Sequence, residues 1–349
     1  MTSHYPLFTR LIVDLYDAGE LPLVAALQIE PAFGHALKIT YHDGSVRMVR
    51  SHVLSTNPHG AVMISNDKGY TSFFLHAAGF VVPRGRVFIL PKLAAQIAHN
   101  PSQPPITAIA GIMSALQYAA EVTGYPCIIK PNDGSQGRSV VFCDTAEDLV
   151  ATLGRFAADR ERLALIEQYV PYPDYRVVIW RGAMRLAYRR TPLTVYGDGV
   201  SSVAVLLTTR LAALAAQGRH IAQTCDDPRI VRALARQQLE SRSVPGAGQR
   251  VVLLNVANMS TGGSAEDVTT QLHPHWGELC TRAAAAIGLV WCGVDLACAD
   301  IADPAAPYAI LELNAAPGLA HFAASSTAAR AQVRALIARV IGTLPHTDH

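Results

Sequence analysis

The sequence predicts an α+β fold built from several lobes. Three observations carry that reading. Helix-period and strand-length apolar runs alternate along the 349 residues. The strands of the second half are joined as hairpins by tight turns rather than by crossover helices. Half of the residues are hydrophobic and 16% are charged, the balance of a chain that packs a large core.

In chain order, residues 6–18 carry a helical period, and HALKITYH and SVRMVRS form a hairpin across Asp43-Gly44. A second helix follows Asn66-Asp67-Lys68 and stops at Gly79, and Val81 to Gly85 reads as an exit strand. The connector HNPSQPP (99–105) marks a boundary. A helix over 108–123 then leads to the strand YPCIIKP, a glycine-containing turn NDGSQGRS, the strand VVFC, a helix over 146–159 and the strand LALIEQYV. Next come the hairpin strands YRVVIW and MRLAYRR around Arg181-Gly182, a helix over 203–217, and a polar, weakly patterned stretch 219–249 expected to hold one more helix. VVLLNVANMS reads as a strand and STGG as a loop. A helix over 275–287, strands VWCGVDLAC and YAILELN, and a terminal helix over 327–341 complete the chain. These elements divide into an N-terminal lobe (1–66), a lobe carrying the glycine turn (67–165) and a C-terminal lobe (166–345).

Composition excludes several classes. A formal charge of +2 without a basic run gives no footprint for nucleic acid or an anionic membrane. The longest apolar stretch, 283–294, is shorter than the ~20 residues of a spanning helix. Arg10 and Asp14 break any signal-peptide pattern, and six scattered cysteines without a CxxC pair fit reduced thiols; a cytoplasmic protein is expected. No Gly is followed by Lys, so there is no P-loop, and GAGQRV (246–251) fails as a dinucleotide-binding fingerprint. The histidines are dispersed, and no nucleophile elbow accompanies them. Only four lysines (Lys38, Lys68, Lys92, Lys130) stand among 29 basic residues, and a compact ammonium retained in an arginine-rich chain suits a phosphate site.

Three segments carry candidate chemistry. In IIKPNDGSQGRSVV a strand ends at Lys130, and a turn with Gly134 and Gly137 follows. An ammonium beside phosphates covered by backbone N–H groups fits this pattern, and so does a solvated hairpin lysine. Glu167 in LIEQYV can accept from an adenine amino group, although an edge-strand carboxylate explains it as readily. The sharpest set is Asp295 in GVDLAC with Glu312 and Asn314 in ILELN. Strand alternation places residues two apart on one face, and acids within apolar strands need a cation. Two carboxylates and an amide suit Mg²⁺, which keeps water and phosphate oxygens in its remaining positions.

Taken in order over residues 66–318, these segments resemble the ATP-grasp superfamily, in particular the ATP-grasp part of cyanophycin synthetase and of the bifunctional glutathione-synthesising enzyme. The matching text is NDKGYTSFFLHAAGFVVPRG, CIIKPNDGSQG, IEQYVPYPDYRVVI, RRTPLTVYGDG, ANMSTGGSAEDVT, GVDLACADI and ILELNAAPG. The resemblance implies an ATP-grasp fold, with ATP held between two α+β lobes and a small N-terminal α/β lobe beside them. It implies that Lys68 and Lys130 hold the phosphates, with Ser135, Gln136 and Gly137 covering them. Glu167 with Tyr169 and Val170 would read adenine, and Asp174 the ribose. Asp295, Glu312 and Asn314 would bind two Mg²⁺ ions, and Arg190, or as second choice Arg176, would steady an acyl-phosphate.

The implied activity is ADP-forming ligation of a carboxylate to an amine, on an amino acid or small peptide, as dipeptide formation or lactam closure in natural-product biosynthesis. A homodimer is left open, as are two alternatives: a small-molecule kinase and a nucleotide-binding protein without turnover. The chain departs from the pattern at Ser72, where related ligases carry lysine, and at Leu254, where they carry arginine. It also lacks the second halves of both relatives, so a stand-alone ligase with substrates of its own is expected.

Overall fold

The computed structural model of the protein describes residues 5–98, 111–133 and 140–345. Helix α1 (Leu7–Asp17) precedes an antiparallel meander of β1 (Val24–Ile29), β2 (Ala36–Tyr41), β3 (Val46–Arg50) and β4 (Val53–Leu54). Helices α2 (His59–Asn66) and α3 (Lys68–Ala77) lead to β5 (Gly85–Ile89), α4 (Pro91–Ala98) and α5 (Ile112–Tyr118), which continues as a π-helical turn to Thr123. Strands β6 (Cys127–Pro131) and β7 (Val141–Cys143), helix α6 (Ala146–Ala158) and β8 (Leu163–Gln168) complete a second sheet in the order β5-β8-β6-β7.

The third sheet is larger. After β9 (Asp174–Trp180) and β10 (Ala183–Thr191) the chain forms β11 (Thr194–Tyr196), α7 (Val203–Ala216), α8 (Pro228–Arg236) and β12 (Arg250–Val252), with β11 and β12 paired as a small ribbon. Strand β13 (Ser264–Asp267), α9 (Pro274–Ile287), β14 (Trp291–Cys298), β15 (Tyr308–Asn314), α10 (Ala320–Ala323) and α11 (Thr327–Ile341) follow. The order in this sheet is β13-β10-β9-β14-β15, with every pair antiparallel.

Strand alternation divides this sheet between two cores. Val177 and Ile179 of β9 pack with α9, α3 and their neighbours. Val178 and Trp180, one residue out of phase, pack on the other face with α1, the N-terminal meander and α11. The same parity puts Trp291 of β14 with the second group and Cys292, Val294 and Leu296 with the first. In the smaller sheet Cys127, Ile129, Ala164 and Ile166 face a third core under α5 and α6. Their alternates Ile128, Lys130 and Glu167 therefore point the other way, into a cleft between the two sheets.

Several sequence expectations need correction. The exit strand begins at Gly85, after Pro83, which has no N–H to give a ladder, and runs to Ile89. The strand expected over 251–260 is only β12, after which Leu254 enters a small apolar cluster and Met259–Thr261 forms a 3₁₀ turn. Strands β1 and β13 and helices α2 and α4 carried too little pattern to be expected. The boundary drawn between 165 and 166 falls inside β8, which runs from Leu163 to Gln168. The boundary at 66/67 separates α2 from α3, yet Ala61, Val62 and Leu75 share one core with the C-terminal sheet. Ser135, Gln136 and Gly137 lie outside the described residues.

Candidate active site

Every other residue to which the resemblance gives a binding or catalytic role lines one cleft of about 1190 Å³. Two sheet faces build it. From the small sheet come Lys130 and Glu167, diagonal neighbours on β6 and β8, with Nζ 2.5 Å from Oε1. Tyr169 and Val170 continue from Glu167 into the connector, where the Tyr169 ring meets Phe142 edge-on at 4.8 Å. Gly85 pairs with Glu167, and a Cβ there would sit 3.0 Å from the glutamate Cβ. Glycine therefore lets the outer strand lie close at this point.

Lys68 opens α3, whose N-cap Asp67 accepts from the Tyr70 N–H at 2.9 Å. Buried Asn132, just past Lys130, fixes this helix start: its carbonyl accepts from Lys68 N at 3.2 Å and its side chain from Gly69 N at 3.0 Å. A lysine at the positive end of a helix is poorly placed unless an anion approaches it. Burial lowers the Lys68 pKa, and the charge of Lys130 adds to this, against the pull of Glu312. For Lys130 burial acts in the same direction, but Glu167 and Glu312 outweigh it and the pKa rises. The charge of Glu312 thus acts on both ammonium groups.

From the large sheet, register aligns three charged residues in one row: Asp295 on β14 stands opposite Arg176 on β9 and Glu312 on β15. The β15 ladder skips Leu311, since Asp295 pairs with Glu312 and Leu296 with Ile310. This bulge turns Ile310 and Leu313 to the same core and leaves Glu312 and Asn314 on the cleft side. Asn314 Nδ2 donates to Glu312 Oε1 at 3.0 Å. Next to this row, Arg190 on β10 donates to Asp174 at 2.6 and 3.0 Å and lies 2.8 Å from the second Asp295 oxygen. Arg176 clasps both oxygens of Asp295, the Nη2 contact being 3.1 Å. Gly293 admits the Arg176 side chain, since a Cβ there would lie 2.7 Å from Cδ.

This quartet of two carboxylates and two guanidiniums, with Arg176 and Asp295 buried and Asp174 and Arg190 half-buried, is neutral as a whole. Burial works against the Asp295 charge, but Arg176 and Arg190 overcome it and hold the carboxyl at about 2. Burial and the charge of Asp295 push Asp174 the other way, to about 6, against the pull of Arg190. Asp174 is the member that takes a proton first.

The donor set suits a divalent cation with oxygen preference: Glu312 and Asn314 share one strand and Asp295 is the register partner of Glu312. The structure qualifies the sequence reading at Asp295, whose oxygens are both engaged by arginines; coordinating a metal there requires those pairs to open. Glu167 and Asp174 are likewise engaged, by Lys130 and Arg190. Leu254, where an arginine was expected, is 4% exposed inside an apolar cluster and supplies no charge. The sequence reading missed Asn132 and Gly293 as residues that position the site, and His52, Ser260 and His321 as lining groups. Asn132 directly follows the KP step, so its place beside Lys130 was the one available signal. No helix among the described residues is long and apolar enough to cross a membrane.

No family model matches the chain. It is 30% identical over 270 residues to cyanophycin synthetase from Geminocystis herdmanii, covering 74% of this chain and 28% of that protein. It is 30% identical over 320 residues to the same enzyme from Synechocystis, covering 89% and 33%. To the glutathione biosynthesis bifunctional protein of Enterococcus faecalis it is 27% identical over 295 residues, covering 81% and 36%. The chain thus spans about a third of the length of these curated relatives. The crystal structure of a bifunctional glutathione synthetase from Pasteurella multocida superposes with a TM-score of 0.57 at 23% identity, covering 96% of this chain and 44% of that one. That likeness supplies the fold, and together with the ordered matches it means that the chain belongs to the ATP-grasp superfamily.

Proposed function

We propose that the protein is an ADP-forming carboxylate–amine ligase that uses ATP with Mg²⁺ and joins an amino acid or small peptide through an acyl-phosphate. One observation carries this: two facing sheets bring two lysines, a Glu–Asn–Asp oxygen set and two arginines around one cleft. In this reading Lys68 and Lys130 bind the phosphates, the sheet edge from Glu167 to Val170 receives adenine, and Asp174 receives the ribose hydroxyls. Asp295, Glu312 and Asn314 hold the metal, which supplies charge neutralisation on the phosphates. A carboxylate oxygen attacks the γ-phosphorus, the bond to the β-phosphate oxygen breaks, and ADP leaves. The amine then attacks the acyl carbon, phosphate departs, and the nitrogen gives up its proton. Arg190, or as second choice Arg176, would offset charge on the acyl oxygens through its cationic N–H groups.

The test is ADP release under Mg·ATP against amino acids and dipeptides, singly and in pairs, with Glu312→Ala as control. Release that needs both a carboxylate and an amine, and that falls by about 100-fold or more in the control, is expected. Release with one hydroxylated substrate and a stable phosphorylated product would instead identify a kinase.

A further inference from the structure

The cleft extends further than a nucleotide and two metal ions use. Past Arg176 and Arg190 the same sheet face continues through Tyr188 into the core shared with α1, α10 and α11. There the wall is built from Phe8, Leu11, Met259, Leu319, Val333 and Ile337. Among the described residues the acids of the cleft are Glu167, Asp174, Asp295 and Glu312, all at the nucleotide end. The polar groups at the far end include two imidazoles, His52 and His321. Burial lowers the pKa of both, with Arg176 adding to the effect at His52 and Arg219 at His321, so both are neutral at pH 7. The end chamber therefore has an apolar wall without a carboxylate, backed by the buried guanidinium of Arg219, which the Met259 and Gly263 carbonyls occupy at 2.7 Å, and it opens onto Arg176 and Arg190.

A chamber of this composition rewards an apolar group; a cation would find no carboxylate there, and a carboxylate would meet only a guanidinium already bonded to two carbonyls. Arg176 and Arg190 at its mouth match a carboxylate once their pairs with Asp295 and Asp174 open. We infer that the chamber receives the apolar side chain of the substrate whose carboxylate is activated: an aliphatic or aromatic amino acid, or a peptide ending in one. The position of the reacting carboxylate rests on the ligase reading above; the preference for an apolar side chain rests on the chamber alone. The side chains of aspartate and arginine are the wrong chemistry for it.

The test is equilibrium binding of labelled leucine, phenylalanine, leucyl-leucine, aspartate and arginine to the full chain, with Mg²⁺ and a non-hydrolysable ATP analogue present. Displacement of a fluorescent nucleotide is read in the same samples. Binding of the apolar ligands at least about tenfold tighter than aspartate or arginine is expected. Ala320 lies exposed on the cleft wall and Leu7 is half-buried at the α1 end. Ala320→Trp, which fills the chamber, and Leu7→Asp, which charges its rim, should each weaken apolar binding about tenfold or more while leaving nucleotide displacement within about twofold. Tighter binding of aspartate or arginine, equal binding of all five, no apolar binding with nucleotide bound, or two variants that bind like the parent would each overturn the inference. Loss of nucleotide binding alone would count against the ligase reading and leave the apolar preference to be read directly.

Discussion

Asp174 and Asp295 share two arginines but hold their protons differently, and this sets a pH dependence at the residue scale. Asp295, held at about 2 against an ordinary 3.8, contributes stability that is present above 3.8 and lost as the pH falls through about 2. Asp174 has the opposite sign. Its folded value of about 6 lies above 3.8, so its proton stabilises the fold below 3.8 and that contribution is gone above 6. A ribose hydroxyl donates to a carboxylate, so nucleotide affinity should be full above pH 6 and weaken as the pH falls through it. Fluorescent-nucleotide titration from pH 5 to 8 checks this, and Asp174→Asn should flatten the curve. The pairing of Glu312 with Asn314 was legible because two positions on a strand always share a face. The clasp of Arg176 on Asp295 was not, because 119 positions separate them and only the β9–β14 register brings them level.

At the scale of elements, the close approach of β14 to β9 depends on Gly293. Gly293→Ala would press a methyl group into the Arg176 side chain, displacing the guanidinium from Asp295. A loss of about 1–3 kcal/mol in stability is expected from the overpacking, measured by urea denaturation. Turnover should fall together with it, and Arg176→Ala combined with Gly293→Ala should cost little more turnover than either alone, since both act on one contact. The long apolar strands β9 and β14 were readable because burial on both faces leaves continuous hydrophobic runs. Strand β13 was not: SAED has no apolar alternation, and it is a strand only because β10 offers it a free edge. The bulge at Leu311 was also hidden, since skipping one residue leaves no mark in composition.

At the scale of the whole molecule, α8 ties the small β5-β8-β6-β7 sheet to the β11–β12 ribbon, where Ile230 and Leu234 share a core with Val195 and Val251. Arg236 sits 3.1 Å from Asp144 and 4.6 Å over the Phe142 ring, which in turn meets Tyr169 in the connector after β8. Arg232 approaches Asp148 at 4.0 Å. Arg236→Ala removes the stack and the pair together, worth about 1 kcal/mol, and should raise the KM for ATP about fivefold with little change in kcat. Steady-state kinetics at low and high salt check this, because salt should weaken the parent more than the variant. The most direct test of the central claim follows the oxygen. With a substrate carrying ¹⁸O in its carboxylate, activation as an acyl-phosphate followed by amine attack leaves one ¹⁸O in the released phosphate for each amide formed. Amide formation with unlabelled phosphate would contradict the account.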